Sequence, residues 1–224
     1  MRIRSSKARS APNRLPPDPR LRLLAPKFDF PEFPRIFFRR NTVDVAQALI
    51  GSWLARYYEG EWHGARIVET EAYLGAEDAA AHSWRGRRTK RNEPMYQDGG
   101  CFYVFLVYGM HSCANIVTRA EGIAEAVLLR AAEGPEESPV KLLSGPGKLC
   151  AALGITVADS GMDLLSQNDI KIFRGQTGNC IIGESKRIGV DYAGEAAEWP
   201  LRFFDLNSRA VSGPAKLNGK NRRR

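Results

Sequence analysis

Arg66-Ile67-Val68-Glu69-Thr70-Glu71-Ala72-Tyr73-Leu74 reads as a β-strand that carries chemistry. Successive side chains of a strand point to opposite faces. Strict alternation puts Ile67, Glu69, Glu71 and Tyr73 on one face and Val68, Thr70, Ala72 and Leu74 on the other. The second set is apolar enough to meet a core. The first sets two carboxylates and a phenol side by side, either as a site or as the wet face of an edge strand. Periodicity does not choose between Glu69 and Glu71. Residues two apart on a strand lie about 6.5–7 Å apart, which suits an acid/base pair.

The flanking sequence builds a sheet around this strand. Residues 28–34 read as an extended, aromatic-anchored lead-in. Asn41-Thr42 caps a helix over 43–50 that ends at Gly51. Residues 53–58 form a strand, 59–61 a turn, and 62–74 its hairpin partner. Residues 75–100 are a polar loop long enough to be functional. It carries His82 and a cluster of Arg85, Arg87, Arg88, Lys90 and Arg91 with no acid among them. Residues 101–108, 112–118 and 125–132 are β-rich, with a hairpin turn at 119–124. Ser144-Gly145-Pro146 opens a short helix over 147–153, closed by Gly154. Its N-terminal N–H groups and Lys148 suit a phosphate, or the helix is purely structural. Residues 170–173, 180–182, 187–190 and 201–204 are four more strand candidates. The expected fold class is α+β, a single β-rich domain with a curved, mostly antiparallel sheet and a few short helices.

The net charge of +8 is unevenly placed. Residues 1–27 hold eight Lys/Arg and one acid, and 216–224 hold five and none. That leaves residues 28–215 with 20 basic and 24 acidic side chains, a net of −4. Residues 1–27 and 216–224 are therefore expected to be disordered basic tails around a domain at 28–215. Such tails favour nucleic acid through counterion release. The Arg-rich N-terminus also fits an organelle-targeting peptide. No apolar run approaches a membrane span and no signal-peptide core follows Met1, so a soluble, unsecreted protein is expected. Cys101, Cys113, Cys150 and Cys180 form no C-x-x-C pair and no grouping with the three histidines. No metal site is expected, and free thiols point to a reducing compartment.

The run 67–75, then Glu77-Asp78, Ala81-His82-Ser83, Arg91-Asn92, Met95 and residues 103–115 resembles the alkyladenine (3-methyladenine) DNA glycosylases of the single-domain type. Residues 145–150, 187–190, 192–195 and 200–203 match as well, so the resemblance spans roughly 35–205. It implies a base-excision repair enzyme that works without cofactor or metal. Such an enzyme acts as a monomer on double-stranded DNA. It flips an alkylated or deaminated purine out of the duplex and hydrolyses the N-glycosidic bond. Localisation would follow DNA: cytoplasm and nucleoid in a bacterium, nucleus in a eukaryote. Carried over by match, Glu71 activates the water, and Arg130 holds that water and the carboxylate. The backbone carbonyl at Val190 is a third contact. Tyr73 and His82 flank the flipped base, Tyr108 fills the gap in the duplex, and Asn115 disfavours the 2-amino group of guanine. Phe105 stands where mammalian members carry tyrosine; its ring still stacks but lacks a hydroxyl. The 119–124 turn is about two residues longer, and Trp84 and His111 also depart from the pattern.

These residue types suit the task on chemical grounds. An inserted aromatic side chain offsets part of the cost of flipping. An oxocarbenium-like transition state calls for a nearby carboxylate and a positioned nucleophile. Arg130 follows an apolar strand, and a buried guanidinium requires a partner. The cluster at 85–91 suits phosphate contacts, as does Lys148. No lysine lies in the matched catalytic run and Lys148 sits on a distant helix, so a monofunctional enzyme that leaves the strand intact is expected. Two other classes compete: a nuclease with Glu69, Glu71 and Asp78 as Mg²⁺ ligands, and a non-catalytic nucleic-acid-binding module.

Overall fold

The computed structural model describes residues 15–23, 31–136, 138–166, 169–175 and 180–219. Most of the two expected tails, the 27/28 boundary and the start of the aromatic lead-in lie outside the described residues. Among the described residues, no helix is long and apolar enough to cross a membrane.

The sheet is built around one long strand. β1 (Trp53–Tyr58) turns through Glu59 and Gly60, both at positive φ, into β2 (Glu61–Tyr73). Two central residues at positive φ match the right-handed twist of a hairpin. The second half of β2 lies between β5 (Glu125–Glu133) and β8 (Arg202–Asp205). Beyond β5 come β4 (His111–Thr118) and β3 (Phe102–Val107); beyond β1 comes β6 (Ile170–Phe173), and β7 (Ile182–Ser185) borders β8. Every pairing among these eight strands is antiparallel. The α+β expectation holds, with three short α-helices among the described residues: α1 (Arg35–Phe38), α2 (Thr42–Ala48) and α3 (Pro146–Ala152). Asn41 caps α2 by accepting from the Val43 N–H, and Pro146 opens α3 as its first residue.

The main core joins Val45 and Leu49 near α2 to Leu149 of α3 and to Ile67, Ala72, Ile116 and Leu129 of the sheet. Here strict alternation fails. The β2–β5 register shifts between Ile67 and Glu69 and again between Glu69 and Thr70. A bulge inserts a residue without a partner and changes the facing of what precedes it. Ile67 therefore joins Ala72 in the main core, and Val68 packs separately with Ala131 and Ala210. The Thr70 hydroxyl donates to Ala46 of α2. Glu69, Glu71 and Tyr73 do share a face, but Ile67 is not on it.

Three further expectations are corrected. Residues 187–190 are not a strand: the Arg187 side chain is drawn into a buried pair with Asp78, and the chain runs on into 3-10 turns over Asp191–Glu198. The strand expected at 180–182 begins only at Ile182. Parts of both expected tails are folded. Leu21 is fully buried in the main core, Asp18 N–H donates to Ala152, and Leu23 N–H donates to Trp62. At the other end, Leu217 and Asn218 accept from Arg202. A Pro-rich, Arg-rich composition hid one leucine worth about 1.5–3 kcal/mol of burial.

Leu21→Ala should cost about 2–5 kcal/mol. Urea unfolding of this variant checks it, and an unaltered midpoint would show that this segment does not dock.

Candidate active site

β2 delivers Glu69, Glu71 and Tyr73 to one buried charge cluster, and each carboxylate is held differently. The Glu71 side chain is fully buried. Its Oε1 accepts from the Ile188 N–H at 2.8 Å and faces Arg130 Nη1 at 3.2 Å. Its Oε2 accepts from the Tyr73 hydroxyl at 2.9 Å. Glu69 is also fully buried. Its Oε1 takes Arg130 Nε at 2.8 Å, Arg202 Nε at 2.7 Å and the Ser212 hydroxyl at 3.0 Å, while Oε2 takes the Ser212 N–H at 2.6 Å. Burial by itself would raise the Glu69 carboxyl. The charges of Arg130 and Arg202, with the donors from Arg202 and Ser212, outweigh it and hold the group below its usual range. Burial and the neighbouring Glu71 carboxylate push the Tyr73 phenol well up, so it stays a proton donor to Glu71.

Beside this cluster opens a cavity of about 640 Å³. Tyr73, His82, Phe105, Asn115, Arg130 and Val190 line it, with Tyr108 and Lys148. The strands explain how residues so far apart in sequence meet. Asn115 on β4 lies opposite Leu128 on β5, which in turn faces Glu71 on β2. Phe105 sits two residues beyond Tyr103 on β3, and their rings stack at 5.5 Å. His82 packs edge-on against Phe105 at 4.4 Å, and its Nδ1 lies 2.8 Å from the Tyr103 hydroxyl. Burial, helped by the charges of Arg91 and Arg87, pushes the His82 imidazole down to about 4. His82 is thus neutral at pH 7. The Asn115 amide donates to the Tyr103 carbonyl at 3.0 Å, which fixes its plane. Val190 accepts at its carbonyl from the Ala193 N–H, so one lone pair remains.

Tyr108 stands at the β3–β4 tip. It is 87% exposed, the most exposed large apolar side chain described, and its φ is +51. Gly109 follows at φ +69. Tyr108 and Gly109 thus form the same kind of positive-φ hairpin loop as Glu59 and Gly60, and this turn projects the Tyr108 ring into solvent.

Lys148 corrects an expectation: it is exposed, but it lines this same cavity rather than lying far from it. The basic loop is divided in its contacts. Arg85 lies over Trp84, and Arg88 pairs with Glu93 over the Tyr96 ring. Arg91 donates to the Leu106 carbonyl and lies over Phe105. Arg87 and Arg91 line a second cleft that shares His82 and Tyr103 with the first; Lys90 is exposed. Among the residues with no role assigned from sequence are Tyr103, Ile188 and Arg187, beside Arg202 and Ser212 of the charge cluster. Tyr103 could have been found by alternation with Phe105. The Ile188 N–H has no side-chain signal at all. Arg187 pairs with Asp78 and lies 4.7 Å over the Tyr73 ring, a contact visible only in three dimensions.

The carboxylates named for Mg²⁺ are split between partners: Glu69 and Glu71 share Arg130, while Asp78 is bound by Arg187. Among the described residues, no three His, Cys, Asp or Glu side chains gather so as to hold a metal ion.

Comparison with known proteins places the chain in a family. The model of the methylpurine-DNA glycosylase family matches residues 36–209. Three relatives bear names that assign them, by inference, 3-methyladenine DNA glycosylase activity. The protein of Desulfitobacterium hafniense is 44% identical over 197 residues, covering 80% of this chain and 97% of the relative. That of Bdellovibrio bacteriovorus is 44% identical over 184 residues, covering 76% and 93%. That of Methanocella arvoryzae is 42% identical over 194 residues, covering 81% and 96%. The match runs from α1 past β8 and takes in the whole charge cluster except Ser212, so this chain belongs to the methylpurine-DNA glycosylase family.

Proposed function

We propose that the chain is a monofunctional DNA glycosylase of base excision repair, acting as a monomer on alkylated or deaminated purines of the 3-methyladenine, hypoxanthine and ethenoadenine class. The observation that carries this reading is the buried Glu71–Arg130 pair beside an aromatic cavity with an exposed tyrosine at its rim.

Tyr108 enters the stack where the damaged nucleotide leaves, and the extruded base slides between Tyr73 and the His82–Phe105 pair. Base stacking on aromatic side chains is worth about 1–3 kcal/mol. A neutral His82 contacts an alkylated, cationic purine without repelling it. Asn115, held by the Tyr103 carbonyl, is rigid enough to disfavour a guanine 2-amino group. Glu71 Oε2 has one donor, Tyr73, and so keeps a lone pair for water. That water attacks C1′ as the C1′–N bond breaks. Its proton passes to Glu71 and the bonding electrons leave with the base. Arg130 Nη1 and the Val190 carbonyl orient the water. Arg85, Arg87, Arg88, Lys90 and Arg91 meet the phosphates, with Lys148 at the rim. Lys148 is exposed, whereas a lysine that forms a Schiff base is activated by desolvation or a neighbouring cation. The product is therefore an intact strand with an abasic site.

Base release from duplexes carrying ethenoadenine or hypoxanthine tests this in excess EDTA. The wild-type protein should excise, Glu71→Gln should bind the lesion but not excise, and strand breaks should need added alkali. Excision by Glu71→Gln at the wild-type rate would sink the reading, as would loss of all activity in EDTA.

Tyr108→Ala should melt like the wild type, because the ring is exposed. Its lesion binding should weaken by about tenfold or more, since the wedge no longer offsets unstacking. A collapsed melting temperature would mean the ring is structural.

His82 links stability to pH. Unfolded, it takes a proton near 6.5; folded, near 4. Between those values the unfolded chain binds the extra proton, so stability rises with pH. The contribution is complete above about pH 6.5 and is lost as pH falls toward 4, amounting to roughly 3 kcal/mol at most. His82→Gln should flatten the melting temperature across that window in a pH series of thermal scans.

A further inference from the structure

Glu69 lies on the face of Glu71, is equally buried, and has no task in the hydrolysis described above. Its contacts point to one. Arg130 offers three nitrogens. Nε is taken by Glu69, Nη2 by the Ser212 hydroxyl at 3.3 Å, and only Nη1 is aimed at Glu71. Ser212 also donates to Glu69 through both its N–H and its hydroxyl. A carboxylate and a hydroxyl thus hold Arg130 side-on, and the bidentate pairing that arginine and carboxylate favour is denied to Glu71. Glu69 is in turn shared with Arg202. The other contacts of Arg202 are neutral: the hydroxyl of Ser185, the carbonyls of Ser212 and Leu217, and the amide of Asn218. Two carboxylates and two guanidinium groups therefore balance in one buried row, with Arg130 between Glu69 and Glu71.

We propose that Glu69 is a positioning residue for the hydrolysis: by holding Arg130 Nε it restricts that arginine to one contact with Glu71 and draws off part of its charge, so Glu71 remains basic enough to take the proton from water. This rests on the reading of Glu71 as the base. The groups that face Glu71 are Tyr73 on β2, Cys113 on β4, Arg130 on β5, and Arg187 and Tyr192 from the segment after β7. Both tyrosines and the cysteine are pushed up and the arginines stay charged, so none of these changes charge between pH 4 and 8. His82, across the cavity, changes near 4.

The test is the pH profile of single-turnover excision, with rates corrected for the folded fraction by titration with a lesion duplex. In Glu69→Gln, Arg130 turns its whole charge on Glu71. The pH at which the rate falls on the acid side should drop by about half a unit or more. The plateau rate should fall by about tenfold, since the base is weaker. Arg202→Gln leaves Glu69 paired only with Arg130 and its negative charge less compensated, so the acid side should move up instead. If Glu69→Gln fails to fold because Arg202 is stranded, the charge-balanced Glu69→Gln/Arg202→Gln protein still frees Arg130 Nε, and its acid side should drop below the wild type by less than the loss of Glu69 alone would give. Wild-type acid limbs in the folded variants overturn the proposal, as would both single variants shifting the same way. Full activity of Glu71→Gln would instead remove the catalytic reading, and this inference with it.

Discussion

One guanidinium shared by two buried carboxylates organises this molecule. Burying an ion costs several kcal/mol, and the cost is recovered only where its partners are close and its remaining hydrogen bonds are made. Arg130 meets that condition through Glu69, Glu71 and Ser212, and Glu69 through Arg202. The partners come from β2, β5, β8 and the chain after β8. The cluster thus forms only when the centre of the sheet and the returning C-terminal segment are both in place. The arrangement that could make one carboxylate reactive also ties the fold together at its middle.

The rest of the candidate site supplies contrasts that this cluster cannot. The cavity wall is rigid: Tyr103, Phe105 and His82 pack ring against ring, and Asn115 is fixed by a backbone carbonyl. Its rim is the reverse, with Tyr108 held in water on a left-handed backbone. Under the proposed reading, the fixed cavity would receive an extruded base and the projecting ring would fill the gap it leaves. His82 stays neutral beside this cavity, because burial and the charges of Arg91 and Arg87 suppress its protonation. The Arg187–Asp78 pair beside the Tyr73 ring ties the loop after β2 to the segment that presents the Ile188 N–H, so one buried ion pair links both walls around Glu71.

Much of this was legible in the residues. The hairpins, the capped α2 and the proline-opened α3 announce themselves through local rules, which act over a few neighbours and do not wait for the rest of the chain. The aromatic and acidic face of β2 was legible for the same reason, except where the bulge before Thr70 reversed Ile67 and Val68. Residues 187–190 look like a strand locally, but a buried ion pair and a carboxylate that captures Ile188 N–H outweigh that propensity. Leu21 was lost in a composition that otherwise argues for disorder.

The sequence by itself determined which elements form, which face of β2 carries acid, and, through its motifs, the family to which the chain belongs. Alternation left Glu69 and Glu71 equivalent, and from sequence only the family resemblance separated them. The tertiary structure adds that the two carboxylates have different partners. Arg202, Ser212 and the Ile188 N–H lie more than 110 residues away in the chain. The fold gives the first two to Glu69 and the third to Glu71. That partition is a matter of which long-range partners arrive at each oxygen, and no local pattern encodes it.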